Sequence, residues 1–378
     1  MKKVLIVVNI PKFFLSHWLG IAVTAKAAGY QVHVATMAGP DVAKIHAAGL
    51  IHHEIPMSRS GTNVWRELKS LWAVIRLFRQ VKPDLVHLIT IKPVIYGGIA
   101  ARLTGVRAVL SAVTGLGYVF INQQGNTLGL KRVISALYTY VFGHRNIRVL
   151  FENDSDRDSF CQSGIVKPQR TVVVHGAGVD LEHFHVVPEP VGKVRVIFAA
   201  RLLRDKGVQE FLLAAQQLKD VPNVEFVLAG DIDPDNPASL SSEELAVIKQ
   251  QGSVQVVGFC DDMAALFRQC HVIVLPSYRE GLPKVLIEAA ACGRPVVTSD
   301  VAGCRHVIIP DVTGLLVPVK DAQALATAIG QLIDNPQMRL QFGRAGRELA
   351  EQRFGEAQIG QTYMSLYQQL IAGADSHG

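Results

Sequence analysis

Residues 272–297 read VIVLPSYREGLPKVLIEAAACGRPVV, and the fold follows from how this stretch divides. Val272-Ile273-Val274-Leu275 is a short apolar, β-branched run. A Pro- and Gly-containing loop follows, and Pro283 then suits the first turn of a helix, where its missing N–H costs nothing. The segment 283–291 is apolar on most positions, and Gly293 stops it before a new run at 295–298. This is strand, helix, strand. Neither strand alternates with polar residues, so both faces are buried, as in a parallel sheet covered by helices.

The same unit recurs in both directions. Further strands are expected at 4–8, 31–35, 85–89, 108–113, 147–151 and 171–174, and again at 194–199, 224–229 and 254–257. Helices are expected between most of them, at 18–28, 64–81, 128–142 and 208–218. Repeated β-α-β units with right-handed crossovers make doubly wound α/β sheets. The series runs twice, broken at 185–192 (HVVPEPVG), which has Pro and Gly but no periodicity. The expected domains are therefore 1–186 and 193–355, two Rossmann-like parallel-sheet domains facing a cleft. A tail at 356–378 has Ile359, Tyr363, Leu366, Tyr367 and Leu370 at helical spacing and is expected to pack back on the first domain. In such sheets ligands bind beyond the C-terminal strand ends, so the motifs directly after strands carry the information.

Composition narrows the class. The 378 residues are 49% hydrophobic with a mean hydropathy of +0.24, which excludes global disorder. No run of about 18 apolar residues is present, so no spanning helix is expected. The opening MKKVLIVVNIPKFF has the lysines and apolar run of a signal peptide without its small-residue cleavage site, and 4–10 reads better as a buried strand. Five cysteines, odd in number and never in CxxC spacing, argue against a disulfide framework or zinc site and fit a reducing cytoplasm. Charge is split. Residues 1–150 hold 18 Lys and Arg against four acids (Asp41, Glu54, Glu67, Asp84), a net +14, while the other 228 residues hold 20 bases and 28 acids, a net −8.

The basic half calls for an anionic partner. Residues 63–83 (NVWRELKSLWAVIRLFRQVKP) read as a helix with Trp65 and Trp72 beside Arg66, Lys69, Arg76, Arg79 and Lys82. Its stripe Val64, Leu68, Leu71 and Ile75 is expected to pack on the sheet, leaving the bases and one tryptophan to an anionic lipid surface. The bases form no recognisable nucleic-acid motif, so nucleic acid is not the expected partner.

Three post-strand motifs carry polar groups. Arg201 and Lys206, in ARLLRDKG at 200–207, flank the start of a helix and make an anion site, or else are incidental bases of a solvated turn. Asp231, in AGDIDPD at 229–235, opens an acidic proline-containing turn. In the 272–297 stretch, Glu280 lies in the loop and Glu288 on the helix, seven residues apart in between. The N–H groups around 281–284 are expected to meet phosphate, and two carboxylates flanking such a pocket can accept hydrogen bonds from sugar hydroxyls.

These residues together resemble the retaining glycosyltransferases of the GT-B fold, family 4, with their EX7E motif followed by A-x-G-x-P-V-V. The resemblance spans most of the chain: the first strand, Arg201/Lys206, Gly230-Asp231, Gly258-Phe259, Glu280–Glu288 and 314–317. The segments 88–93 (LITIKP), 113–117 (VTGLG) and 300–305 (DVAGCR) are most similar to a bacterial subgroup that extends undecaprenyl-diphosphate-linked saccharides. The resemblance implies that Arg201 and Lys206 hold the donor diphosphate, Glu288 the ribose and Glu280 the transferred sugar. The backbone at Gly258, Phe259 and Cys260 faces a uracil base, with Asp231 and Gly281–Lys284 (Gly281, Leu282, Pro283, Lys284) on the donor side. His17, His87, Lys92, Thr114 and Gly115 fall on the acceptor side, although His87 lies within the buried run 85–89 and reads at least as well as a satisfied core histidine. Glu280 as a covalent nucleophile ranks below same-face attack. DxD metal sites belong to a different architecture, so no metal or other cofactor is expected.

The chain departs from the family at three places. Asn9–His17 replaces a Gly-Gly loop, Ile89 replaces a second histidine beyond His87, and His306 replaces a glutamate. The expected activity is transfer of a hexose or N-acetylhexosamine from a UDP-sugar to a polyprenyl-diphosphate-linked saccharide, at the inner face of the cytoplasmic membrane. A nucleotide-sugar epimerase and a non-catalytic nucleotide-sugar binding protein are the alternatives.

Overall fold

A computed structural model of the chain describes residues 1–57, 64–115, 127–234 and 236–375. Leu116, Gly117 and Asp235 lie outside the described residues. Two compact units emerge: Met1–Gly178 with Glu356–Gly378, and Val179–Gly355.

The first unit is built on strands β1 (Lys3–Val7), β2 (Gln31–Thr36), β3 (Ile51–Glu54), β4 (Leu85–Ile89), β5 (Ala108–Val113), β6 (Ile147–Phe151) and β7 (Thr171–Val173). They form one parallel sheet in the order β3-β2-β1-β4-β5-β6-β7. The chain winds outward from β1 in one direction, then restarts at β4 in the other, so the switch point lies between β1 and β4. Leu5, Val7, Val86 and Leu88 face one apolar layer with Phe78 and Tyr138. Val4, Ile6, Leu85 and Ile89 face the other with Phe14 and Trp18. All eight strand residues are fully buried. At about 1.5–3 kcal/mol for each buried Val, Leu or Ile, this two-sided burial is the main stabilising term.

The helix Glu356–Asp375 completes the second of these layers. It lays Ile359, Tyr363, Leu366, Tyr367 and Leu370 against Trp18, Ile21 and Ala22, as the tail's spacing predicts. Asn146 donates from Nδ2 to the Leu370 carbonyl at 2.8 Å, tying the helix to the loop before β6.

The second unit repeats the plan with β8 (Val194–Ala199), β9 (Val224–Ala229), β10 (Gln255–Gly258), β11 (Val272–Leu275), β12 (Val296–Ser299) and β13 (Gly314–Val317). These are parallel in the order β10-β9-β8-β11-β12-β13, with the switch point between β8 and β11.

Several expectations need correction. The boundary lies at Gly178/Val179, not at 186–193, because the apparent linker is bolted to the second unit. Arg347 donates to the carbonyls of Leu181 and Phe184, Arg294 to Pro188, and Arg339 forms a bidentate pair with Glu189 at 2.8–2.9 Å. Val179 and Phe184 join that unit's core. The helix expected at 18–28 forms at Leu19–Ala27, and a further helix, Pro11–His17, precedes it because Pro11 starts a helix where the sequence reads as a loop. β3 and β13 were not foreseen as strands. β3 is an edge strand of sequence IHHE, which carries no apolar run.

The helix Val64–Val81 forms but turns a different face inward. It buries Ser70, Val74, Leu77, Phe78 and Val81. Val64 and Leu68 are exposed, and so are Trp65 at 81% and Trp72 at 63%.

Histidines cluster at the β2–β3 edge. His33 Nδ1 lies 2.8 Å from His53 Nε2, with the rings stacked, and His52 Nε2 lies 2.8 Å from Thr36 Oγ1. A bond between two imidazoles needs at least one neutral ring. Burial lowers the pKa of His33 to about 4, helped by His53 and Lys3, and burial lowers those of His52 and His53 as well. The folded state refuses protons that the unfolded chain accepts near pH 6.5, so this contribution is intact above that pH and lost as pH falls below it. Melting temperature is expected to be flat from pH 8 to 7 and to fall by on the order of 5 °C by pH 5. His33→Gln should shallow that fall, and an unchanged slope would remove the cluster from the explanation.

Candidate functional site

The site residues of the second unit gather at its switch point. β8 ends at Ala199, and Leu202 and Leu203, both buried, anchor the following loop so that Arg201 and Lys206 project from it. Arg204–Lys206 makes one 3-10 turn, and Gly207 then opens the helix Val208–Gln217 at a left-handed φ of 74°. A side chain at Gly207 would overlap the Pro276 carbonyl, so glycine lets the β8 and β11 loops touch.

β11 delivers the other half. Its loop runs 276–283, and the helix Lys284–Ala291 begins with Pro283 at its N-cap, one position earlier in role than expected. No side chain caps that helix start, so the main-chain dipole there is available to an anion. Gly303 backs the loop: a Cβ there would lie 2.5 Å from the carbonyl oxygens of Glu280 and Gly281.

The geometry brings cations and carboxylates into pairs. Lys206 Nζ is 2.6 Å from Glu280 Oε1, with the two side chains only 20% and 10% exposed. Lys284 Nζ is 3.0 Å from Glu288 Oε1, across one helical turn. Glu288 is buried in an otherwise apolar helix face, where an ionised carboxylate is costly unless paired. Arg201 Nη1 is 2.7 Å from Asp233 Oδ2. The arrangement is a set of part-buried charges that a polyanion with hydroxyl groups could enter by exchanging partners.

Other donor-side residues fall as follows. Leu282 packs on the core beneath the loop. Gly230 donates its N–H to the Gly258 carbonyl at 2.8 Å, joining the ends of β9 and β10. Phe259 is half-exposed beside them, and Cys260 Sγ donates to the Asp262 carbonyl. Asp231 accepts the N–H of Ile232 at 2.8 Å and is a turn residue. The residue that meets Arg201 is Asp233, which the sequence reading left unassigned. Among the described residues no group of His, Cys, Asp and Glu is arranged to hold a metal.

In the first unit, Thr114 and Gly115 line a cavity of about 150 Å³ with Thr90, Ile91, Val113 and Tyr138, beyond the ends of β4 and β5. Thr90 sits at φ 73°, a left-handed conformation that costs a β-branched residue of order 1–3 kcal/mol, and its hydroxyl donates to Asn9 Oδ1. Nothing in the sequence marks Thr90 as strained. Lys92 Nζ pairs with Glu67 at 2.6 Å, and Tyr96 donates to the other Glu67 oxygen. His17 is half-buried, its ring tilted by 32° against that of Phe13, and hydrogen-bonded to Ser16.

His87 is corrected. It is fully buried, with Nδ1 2.8 Å from the Tyr367 hydroxyl and Trp18 edge-on to its ring. Burial lowers its pKa to about 3, so it is a neutral core histidine that no substrate reaches.

Comparison with known proteins agrees with this geometry. Residues 180–349 match the model for glycosyl transferases group 1, and residues 3–151 match that for glycosyl transferase 4-like domains. The N,N'-diacetylbacillosaminyl-diphospho-undecaprenol alpha-1,3-N-acetylgalactosaminyltransferase of Campylobacter jejuni is 30% identical over 343 residues, covering 87% of this chain and 88% of that protein. An Escherichia coli UDP-Gal:alpha-D-GlcNAc-diphosphoundecaprenol alpha-1,3-galactosyltransferase is 24% identical over 301 residues, covering 76% of each. In fold, the sucrose-phosphate synthase of Thermosynechococcus elongatus superposes with a TM-score of 0.81 at 21% identity, covering 99% of this chain and all of that one. An Anabaena protein in complex with UDP and glucose superposes at 0.79 and 20% identity, covering 97% of this chain and all of that one. Two parallel sheets, each with its switch point, and a 30% identical relative matched along nearly its whole length place this chain in the group 1, family 4-like glycosyltransferases of the GT-B fold.

Proposed function

We propose that this glycosyltransferase moves a hexose or N-acetylhexosamine from a UDP-sugar to a polyprenyl-diphosphate-linked saccharide, with retention and without a metal ion. The observation that carries the reading is the Lys206–Glu280 pair at the β8/β11 switch point, with Arg201 and the Lys284–Glu288 pair beside it. Arg201 and Lys206 supply two positive charges where a departing diphosphate accumulates negative charge, the task a metal performs elsewhere. Glu288 accepts from the ribose hydroxyls and Glu280 from a hydroxyl of the transferred sugar. The acceptor oxygen bonds the anomeric carbon on the face that UDP leaves, and its proton passes to the departing phosphate. The names of the Campylobacter and Escherichia relatives support the lipid-diphosphate acceptor.

Transfer to undecaprenyl-diphosphate-sugar is expected with at least one donor among UDP-GlcNAc, UDP-GalNAc, UDP-Glc and UDP-Gal, and no transfer from any of them overturns the proposal. Lys206→Ala should lower kcat by about 100-fold or more, the scale of removing one transition-state donor. Activity should survive EDTA, and its complete loss would return the leaving-group role to a metal.

The acceptor reading also implies a membrane site. Among the described residues no helix is long and apolar enough to cross a bilayer. The outer face of the helix Val64–Val81 instead presents Trp65, Leu68 and Trp72 with Arg66, Lys69 and Arg76, an arrangement suited to an anionic lipid surface. Flotation with anionic liposomes should succeed at low salt and weaken as salt rises, since each base contributes roughly 1 kcal/mol near such a surface. Trp65→Ser with Trp72→Ser should reduce it, and binding by the double variant equal to wild type would rule this helix out.

A further inference from the structure

The loop that carries Glu280 has no regular structure, yet it places a carboxylate 2.6 Å from Lys206. The bonds that fix it run to the segment just ahead of the helix Val208–Gln217. Tyr278 donates its N–H to the Asp205 carbonyl at 2.8 Å, and the buried Ser277 hydroxyl donates to the same oxygen at 3.1 Å. Asp205 is the residue before Lys206, and Tyr278 is two before Glu280. These bonds therefore join the two segments one residue from Lys206 and two and three residues from Glu280.

Tyr278 makes one further bond. Its hydroxyl donates to Glu210 Oε1 at 2.7 Å, and Lys320 Nζ lies 5.0 Å over its ring. Glu210 is buried, on the first turn of the helix that follows Lys206, and its Oε2 is buried without a hydrogen-bond partner among the described residues. An acid in a first turn favours the helix dipole, but an exposed one would do so without desolvation. A half-satisfied buried carboxylate is retained against its cost where it holds something else in place. Burial, and then Glu210, raise the Tyr278 pKa, so the phenol stays protonated and remains a donor.

We propose that Tyr278, held by Glu210, is the positioning residue that locks the Glu280 loop onto the Lys206 turn and so sets the Lys206–Glu280 geometry for transfer. The proposal rests on the glycosyl-transfer reading for its catalytic consequence and on the structure alone for the lock. Neither Tyr278 nor Glu210 touches the sugar nucleotide in this scheme, so their loss acts through Glu280 and Lys206.

Two readouts test it. In hydrogen exchange without ligand, Tyr278→Phe should speed exchange of the Tyr278 amide by about tenfold or more, while β12 is unchanged. Unchanged protection overturns the lock, whether or not turnover is ever observed. In kinetics, Tyr278→Phe and Glu210→Ala should each lower kcat about tenfold while UDP affinity stays within about threefold, and the double variant should be no slower than the worse single one. Glu210→Gln, which keeps an acceptor oxygen, should restore kcat to within about threefold of wild type. Wild-type kcat in Tyr278→Phe, multiplicative losses in the double variant, or kcat and UDP affinity falling together would each overturn the proposal. Absence of transfer by the wild type refutes the functional reading instead, and leaves the exchange experiment to decide the lock.

Discussion

A lysine ammonium and a glutamate carboxylate, 2.6 Å apart and largely shielded from water, set the requirement that the second unit is built to meet. Ions in that environment are stable only while their partners stay within bonding distance. The loops carrying them leave neighbouring strands, β8 and β11; the first makes a single 3-10 turn at Arg204–Lys206 and the second has no regular structure. Contact between them depends on absent side chains as much as on present ones. Gly207 gives way to the Pro276 carbonyl, and Gly303 gives way to the carbonyls of Glu280 and Gly281. The same pairing also poses the chemical problem for a ligand: the proposed donor would have to replace an ion pair that already exists, by offering charge to Lys206 and hydroxyls to Glu280.

Both sheets satisfy a single constraint, burial on two faces, and both place their switch point where polar loops emerge. In the second unit that point holds Arg201, Lys206 and Glu280. In the first it holds Asn9 and a strained Thr90, beside a small cavity. The symmetry is one of architecture more than of charge: three ion pairs gather around 201–288, whereas the pair beside Thr90 is the single one between Lys92 and Glu67.

Much of this was legible in the sequence because period and punctuation carry it. Uninterrupted Val/Ile runs gave nine interior strands and the parallel topology, and Pro283 and Gly293 bracketed one helix nearly to the residue. What escaped depends on tertiary context. β3 is a polar edge strand and has no hydrophobic signal. The inward face of the helix Val64–Val81 was misassigned, since the helix buries Ser70, Val74, Leu77, Phe78 and Val81 and leaves Val64 and Leu68 exposed, a choice of face that several apolar stripes on one helix leave open. The 185–192 segment looked like a linker because its anchors, Arg294 and Arg339, lie more than a hundred residues away. At the site, residue types at fixed spacing singled out Lys206, Glu280 and Glu288 as candidates, and the fold brings the first two within 2.6 Å of each other. Asp233, Glu210 and Tyr278 act through contacts across 32 and 68 residues that no local pattern encodes.

The helix Glu356–Asp375 gives the chain an order of assembly. It is synthesised after the whole second unit, and it supplies Tyr363 and Tyr367 to the layer around Trp18 and His87 in a unit whose preceding residues come before Val179. Until those tyrosines arrive, the apolar face of β1 and β4 and an unbonded His87 stand open. The second unit is continuous in sequence and has no such wait, so during synthesis it can close its core while the older half of the protein remains unfinished.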